Sequence, residues 1–340
     1  MPANDIRLLA LDGGGVRSLS SLMILRSLMV TIDPDNPPKP CDYFDMIGGT
    51  NTGGLIAVML GRLRMSVDEC IAAFTSLCDG VFEKKKHHRV RMNGKLRGRF
   101  DSRALERAIK QILVRTNHDE NILLRDASTC RATSATATFF DPIAIGPFGE
   151  QFVDGAVGGA NNPVAVLWSQ ARDVWGAGLQ GSLRCLVSIG TGVPALQPVR
   201  DNVLSILAAL LTPALETETT AENFRRDKVD LDDDGRYFRF NVVRGLEQIG
   251  MDEVKKKAEI VAATGGYVAS QDVLKQMRAC ARQPVITMCQ LFPQSVACCP
   301  PRLLAISPCP QYEGPTDRAS AFAAYPCPPA PSKDLLTGLD

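Results

Sequence analysis

One turn constrains this chain more than any other stretch of its sequence. An apolar run enters the glycine-rich residues 48–54 and another apolar run, 55–60, leaves them, a pattern that predicts a strand, a tight turn and a helix. Gly49 and Gly53 stand two positions either side of Asn51, so the turn matches the nucleophile elbow G-x-S-x-G everywhere except at its centre. Asn is among the few non-glycine residues that tolerate a positive φ. It can therefore keep the backbone geometry of such a turn without supplying a hydroxyl nucleophile.

A second glycine-rich turn follows the first predicted strand. Gly13, Gly14 and Gly15 precede a helical pattern of apolar residues at 19–29, so their N–H groups lie at a helix N-terminus and lack partners within the helix. Such a loop is suited to hold a negative oxygen, either a phosphate or the oxyanion of an acyl-transfer intermediate. Dinucleotide binding is the alternative. It is disfavoured because Ser18 replaces the third glycine of that fingerprint and the acidic partner would have to come from a Pro-rich loop.

An acidic residue at the end of a later strand is the candidate base. The predicted strand 151–153 runs into Asp154, and an acid beside glycine at a strand end is either a catalytic carboxylate or an Asx-turn residue that stabilises its loop. The three histidines, His87, His88 and His118, all precede Asp154, whereas the α/β-hydrolase triad runs nucleophile, acid, histidine along the chain. If this scaffold performs acyl chemistry, Asp154 must therefore serve as the base directly.

Charge and cysteine usage narrow the classes of partner. The 38 Lys and Arg against 37 Asp and Glu leave no overall bias toward nucleic acid, so any preference for anions or membranes must come from a local patch. The most basic stretch lies between Lys84 and Arg99, and it is either a solvated loop or a contact for anionic lipid headgroups. The 11 cysteines show no metal-ligand spacing, so we expect reduced and mostly packed thiols. We expect no cofactor. Because the N-terminus has no apolar signal core and no membrane span, we expect a cytoplasmic protein, with peripheral membrane contact as the open alternative.

The alternation of predicted elements gives the fold class. Strands at 183–189 and 238–243 and helices at 66–77, 101–113 and 252–268 join those already described, which favours an α/β sandwich with a largely parallel sheet. From residue 293 prolines become frequent and no helical or strand period remains. We therefore expect one domain at 5–290, followed by a disordered Pro-rich tail at 293–340.

Together these motifs resemble the patatin-like phospholipase family, in particular its fungal branch. Residues 12–17 match the family's Asp-Gly-Gly-Gly-x-Arg loop, 49–53 match its elbow apart from the Ser, and Asp154 begins its Asp-Gly-Ala motif. Further similarity at 132–135, 188–192 and 237–241 extends the resemblance over residues 5–290. The chain departs from the family at Asn51 and at Ser18, where the family has glycine.

The resemblance implies a three-layer α/β/α fold and metal-free hydrolysis of lipid acyl esters by a Ser–Asp dyad. Gly13, Gly14 and Gly15 would then form the oxyanion hole and Asp154 would be the base, while Asn51 occupies the nucleophile position. A carboxamide cannot form the acyl-enzyme, so we expect a hydrolase scaffold that is inactive or nearly so. The alternative is a pseudoenzyme that binds acyl lipids or protein partners in the same cleft.

Overall fold

The centre of the molecule is a parallel β-sheet. The computed structural model describes residues 5–82, 100–116, 143–145, 150–152, 159–193, 213–282 and 302–305. In chain order the strands are β1 (Ile6–Leu11), β2 (Met46–Gly49), β3 (Ile143–Ile145), β4 (Glu150–Phe152), β5 (Leu183–Ile189), β6 (Tyr237–Phe240) and β7 (Arg302–Ala305). Five of them form the sheet in the order β6-β5-β1-β2-β7, with every neighbouring pair parallel, and β3 pairs with β4 as a separate antiparallel hairpin.

The helices of the described ranges are α1 (Ser18–Ile32), α2 (Pro40–Tyr43), α3 (Thr52–Ala57), α4 (Val67–Val81), α5 (Ser102–Arg115), α6 (Val164–Trp175), α7 (Leu179–Ser182), α8 (Pro213–Asp227), α9 (Val229–Asp233), α10 (Lys257–Val268) and α11 (Gln271–Ala281). A π-helical turn, Val58–Arg62, continues α3. Short 3₁₀ turns lie at Gly15–Arg17, Gly176–Gly178 and Val254–Lys256.

Helices cover both faces of the sheet. On β1, Leu9 and Leu11 pack into a core with α1, α3, α4, α5, α10 and α11, whereas Leu8 and Ala10 pack into a second core with α6, α7, α8 and α9. Successive side chains of a strand point to opposite faces, so one fully buried strand supplies both cores. The fold class predicted from the sequence, an α/β/α sandwich with a largely parallel sheet, is confirmed.

The topology places the predicted loops at one edge. From β1 the chain first adds β2 on one side of β1, and it later adds β5 and β6 on the other side. The direction in which strands are added therefore reverses at β1. In open α/β sheets, ligands bind outside the carboxyl ends of the strands at such a reversal. The glycine turn after β1 and the Asn51 turn after β2 both lie at this edge.

Several predicted elements are confirmed, and others differ from prediction. Strands 6–11 and 183–189 have the predicted bounds, and the capping box at Ser66 and Glu69 opens α4 as expected. The strand expected at 238–243 is instead Tyr237–Phe240 and ends where the chain turns toward the site. Helices α6, α8 and α11 have no counterpart among the helices expected from the sequence.

Strand β7 lies inside the segment 293–340, for which the sequence predicts no regular structure. Its four residues pair in parallel with β2, from Met46 opposite Arg302 to Gly49 opposite Ala305. The apolar triplet at 303–305 interrupts the prolines and supplies the extended backbone, so the prediction fails at these residues. The domain boundary itself stays a prediction.

Helix α1 is apolar along most of its length. With the preceding turn, Gly15–Ile32 is long and apolar enough to cross a membrane, contrary to the expectation of no such span near the N-terminus. In the structure 67% of this window is buried inside the domain. Its apolarity is therefore accounted for by packing against the sheet and against α4 and α10.

Candidate active site

Asn51 lies between β2 and α3 in a backbone conformation that residues other than glycine rarely adopt. Its φ is 55° and its ψ is −125°. Asn51 is the N-cap residue of α3, and its Oδ1 accepts a hydrogen bond of 2.6 Å from the N–H of Thr52, the first residue of that helix. Strained conformations of this kind cost on the order of 1–3 kcal/mol and persist only where the surrounding structure imposes them.

The glycines on either side of Asn51 allow backbone segments to approach closely. A Cβ on Gly49 would lie 2.2 Å from the Gly53 carbonyl oxygen, and a Cβ on Gly53 would lie 2.4 Å from the Leu11 carbonyl oxygen. These are backbone atoms, which cannot rotate away as a side chain can. Glycine is therefore required at both positions to bring the start of α3 against the end of β1.

The glycine loop, residues 13–15, lies directly against this turn. A Cβ on Gly13 would lie 2.9 Å from the Asn51 Cβ and 2.3 Å from the Asn161 Oδ1. The Gly13 N–H donates to the Asn161 carbonyl oxygen at 3.1 Å, and the Gly13 carbonyl accepts from Thr191 Oγ1 at 3.1 Å. Of the three predicted oxyanion donors, Gly13 is thus paired with the backbone of the segment that precedes α6.

The other two donors of the glycine loop meet at one hydroxyl. The Gly14 and Gly15 N–H groups donate to Thr52 Oγ1 at 3.3 Å and 3.0 Å. Thr52 Oγ1 also lies 2.6 Å from Ser18 Oγ, and both side chains are buried. The first residues of α1 and α3 are therefore joined through their hydroxyls, directly beneath the loop.

A buried ion-pair network anchors the loop at its first residue. Arg239 on β6 donates to Asp12 through two parallel hydrogen bonds, Nη1 to Oδ1 at 3.1 Å and Nη2 to Oδ2 at 2.7 Å. The same guanidinium donates to Ser188 Oγ at 2.9 Å and to Glu218 on α8. Asn241 donates to Glu218 at 2.8 Å and accepts from the Gly192 N–H at 2.6 Å. The network thus ties together the carboxyl ends of β1, β5 and β6.

Burial and neighbouring charges shift the pKa values of Asp12 and Arg239 in this network. It raises the pKa of Asp12 to about 6, because loss of solvation outweighs the opposing attraction of Arg239. For Arg239 burial alone would lower the pKa, but the two carboxylates Asp12 and Glu218 raise it above its ordinary value. The guanidinium therefore stays charged while Asp12 titrates far above the usual range of a carboxyl group.

Arg17, the last residue of the motif at 12–17, is also buried. Its side chain is on the core side of the 3₁₀ turn, and burial lowers its pKa to about 10. Within the part of the chain that the structure describes, its Nε has no hydrogen-bond partner. A cationic group two residues beyond the glycine loop has therefore lost most of its solvation.

Other predicted site residues lie outside the described ranges. They are Asp154, the three histidines and the basic segment between Lys84 and Arg99. Among the described residues, no three His, Cys, Asp or Glu side chains cluster as a metal site would require. The five cysteines of these ranges, Cys41, Cys70, Cys78, Cys185 and Cys280, are free and buried.

Sequence reasoning missed several residues that shape the site. Thr52, Asn161 and Arg239 bond to the glycine loop or to Asp12 from distant positions in the chain, up to 227 residues away for Arg239. Only Arg239 carried a signal, because an Arg in the middle of an otherwise apolar strand must find a buried carboxylate. Nothing in the spacing of Thr52 indicates where its hydroxyl points.

Comparison with known proteins adds to this geometry. A family model described as patatin-like phospholipase matches residues 9–128. The calcium-independent phospholipase A2-gamma of Rattus norvegicus is 26% identical over 74% of this chain and 37% of its own length, and that of Homo sapiens is 26% identical over 74% and 36%. Patatin-like protein 4 of Arabidopsis thaliana is 47% identical over 60 residues, 17% of this chain and 15% of its own length. The family model and these relatives both show that the chain is similar to patatin-like phospholipases.

The match to the patatin-like phospholipases covers only part of the site. It includes the glycine loop and the Asn51 turn, and it ends before Asp154. The chain spans 37% of the length of the rat phospholipase A2-gamma. The part of the chain in which the two loops meet is thus similar to patatin-like phospholipases.

Proposed function

We propose that this chain is a lipid acyl hydrolase scaffold of the patatin-like type, built around a Ser–Asp dyad, in which Asn51 now occupies the nucleophile position. The observation that carries the proposal is the φ of 55° at Asn51 in a turn between strand and helix, with the glycine loop against it. A nucleophile elbow requires that strained conformation so that its side chain is presented at the strand end. We extend the proposal to the fungal branch of the family on the resemblance of the sequence motifs taken together.

Each residue has a role in the ancestral reaction. A hydroxyl at position 51 would attack the ester carbonyl, Asp154 would accept its proton, and N–H groups of the glycine loop would stabilise the oxyanion. Asn51 has no such hydroxyl and forms no acyl-enzyme. Loss of the nucleophile costs about 10⁶ in rate in a comparable triad hydrolase, so we expect turnover near background.

A pseudoenzyme is the second candidate. Asn51 Oδ1 caps α3, and the glycine-loop N–H groups have acceptors within the protein, so this turn is stable without a substrate oxygen. In this second candidate, the chain binds an acyl lipid or a protein partner at this site without cleaving it. In either case we propose a lipid surface as the place of action.

Asn51→Ser tests the proposal. We expect the variant to hydrolyse an activated short-chain ester such as a p-nitrophenyl ester at least about 100-fold faster than the parent, because the introduced serine hydroxyl would supply the nucleophile that the proposed dyad lacks. Asn51→Ala is the matched control, since it removes the same carboxamide without adding a nucleophile. Asp154→Asn in the Asn51→Ser background should abolish the gain.

The pseudoenzyme becomes the better description if the folded Asn51→Ser chain is as inert as Asn51→Ala. Activity that survives Asp154→Asn would instead remove Asp154 from the dyad. Folding of each variant is checked by thermal unfolding, so that inactivity is not confused with loss of structure.

A further inference from the structure

We infer that Ser18 is a positioning residue that keeps the candidate oxyanion donors closed by holding the Thr52 hydroxyl against them. The inference rests on the proposed function and concerns the regulation of the same site. Its starting point is the arrangement of four groups: the Gly14 and Gly15 N–H groups at 3.3 Å and 3.0 Å from Thr52 Oγ1, and Ser18 Oγ at 2.6 Å from that oxygen.

The number of protons and lone pairs indicates which hydroxyl, that of Ser18 or that of Thr52, donates to the other. A hydroxyl oxygen has two lone pairs and one proton. Thr52 Oγ1 uses both lone pairs to accept from Gly14 and Gly15, so its proton is the group that remains for Ser18 Oγ. Ser18 is therefore the acceptor of the Thr52 proton, and its bond adds to the two N–H bonds that hold the Thr52 oxygen in place.

In this arrangement the Thr52 hydroxyl occupies the place that a substrate oxygen would take. A carbonyl oxygen that approaches the Gly14 and Gly15 donors must displace Thr52 Oγ1, and the displaced hydroxyl must also give up its bond to Ser18. Both side chains are buried, Ser18 fully and Thr52 to 4% exposure, so water cannot readily replace the lost bonds. Asn51 Oδ1 accepts from the Thr52 N–H and Ser18 Oγ contacts the Thr52 hydroxyl, so both residues act on Thr52.

Ser18→Ala in the full chain tests the contact without depending on activity. We expect the amide signals of Gly14 and Gly15 in the ¹⁵N-glycine-labelled protein to shift and their hydrogen exchange to become faster, because Thr52 is no longer held. Ser20→Ala is the matched control: Ser20 is fully buried on the same helix, and its hydroxyl lies 2.9 Å from Thr264 Oγ1, away from the loop. Unchanged Gly14 and Gly15 signals in Ser18→Ala, or equal changes in both variants, would overturn the inference.

The second measurement uses the Asn51→Ser background and ester hydrolysis. We expect Ser18→Ala to raise kcat about 5-fold to 10-fold with little effect on KM, since the freed donors act mainly on the oxyanion of the transition state. Ser20→Ala should leave both constants unchanged. An unchanged or lower kcat in an active Asn51→Ser/Ser18→Ala chain would contradict the inference, because Thr52 would then support catalysis.

The two measurements separate the inference from the proposed function. If Asn51→Ser is inert, the proposed function fails, and the amide signals alone decide whether Ser18 holds Thr52 against the donors. If Ser18→Ala does not fold, Ser18→Gly replaces it, because it removes the same hydroxyl. It should produce the same amide changes and the same gain in kcat, and their absence would refute the inference equally.

Discussion

At the scale of single residues, burial determines the behaviour of Asp12. Its folded-state pKa of about 6 lies above the ordinary value of 3.8. The folded protein therefore binds a proton more tightly than the unfolded chain, so the contribution of Asp12 to stability is complete below pH 3.8 and is lost as the pH rises through 6. The loss is on the order of 3 kcal/mol, because a tenfold difference in proton affinity corresponds to about 1.36 kcal/mol.

Asp12→Asn tests this pH dependence. The unfolding free energy of the parent minus that of Asp12→Asn should fall as the pH rises from about 4.5 to about 7.5, whatever constant offset the substitution brings. Urea unfolding followed by circular dichroism at several pH values measures it. Asp68→Asn, at an exposed carboxylate with 71% of its side chain accessible, controls for the loss of one charge. Parallel curves for the parent and Asp12→Asn would contradict the prediction.

At the scale of secondary-structure elements, the packing of α3 against β1 depends on Gly53. A Cβ there would lie 2.4 Å from the Leu11 carbonyl oxygen and 2.6 Å from that of Asp12. We expect Gly53→Ala to lower the unfolding free energy by about 2–4 kcal/mol, because a strand end and a helix must separate. Thermal and urea unfolding measure the loss.

Gly80→Ala is the matched control for that substitution. Gly80 lies within α4, and a Cβ there would meet no atom within 4 Å. Replacing a helical glycine by alanine should raise stability by up to about 1 kcal/mol. A loss of stability at Gly80 similar to that at Gly53 would show that contact with the backbone of β1 is not the cause.

Local sequence patterns predict some secondary-structure elements of this fold but not the contacts between distant residues. Buried strands such as β1 and β5, and the capped start of α4, follow from apolar runs and cap residues, which act within a few positions of the chain. The bond between Asp12 and Arg239 joins residues 227 positions apart, and no local rule specifies such a pairing. The glycine loop and the Asn51 turn were predictable because their backbone needs are local, whereas the acceptors of the loop N–H groups are set by tertiary packing.

At the scale of the whole molecule, charge between Lys84 and Arg99 governs any approach to a membrane. If this segment contacts lipid headgroups, the full chain should bind vesicles that contain anionic lipid, and binding should weaken between about 50 and about 500 mM salt. Sedimentation with phosphatidylcholine vesicles, with and without phosphatidylserine, measures it. Replacing Lys84, Lys85 and Lys86 by Gln should reduce binding. Equal binding to neutral vesicles, or none to either, would identify the segment as a solvated loop.

The tail offers the last test, because β7 divides it into two parts with different expected effects. A chain that ends at Ser307 keeps β7 beside β2, and its thermal transition should lie within about 1 °C of the parent, since a Pro-rich segment contributes little to a packed core. A chain that ends at Cys299 lacks β7 and leaves the hydrogen-bonding edge of β2 uncovered along Met46–Gly49. Because β2 leads directly into the Asn51 turn, we expect this shorter chain to unfold several degrees lower and to recover less ester hydrolysis after Asn51→Ser. Equal transitions for the two truncated chains would show that β7 adds no stability, and a drop already at Ser307 would place packed structure beyond it.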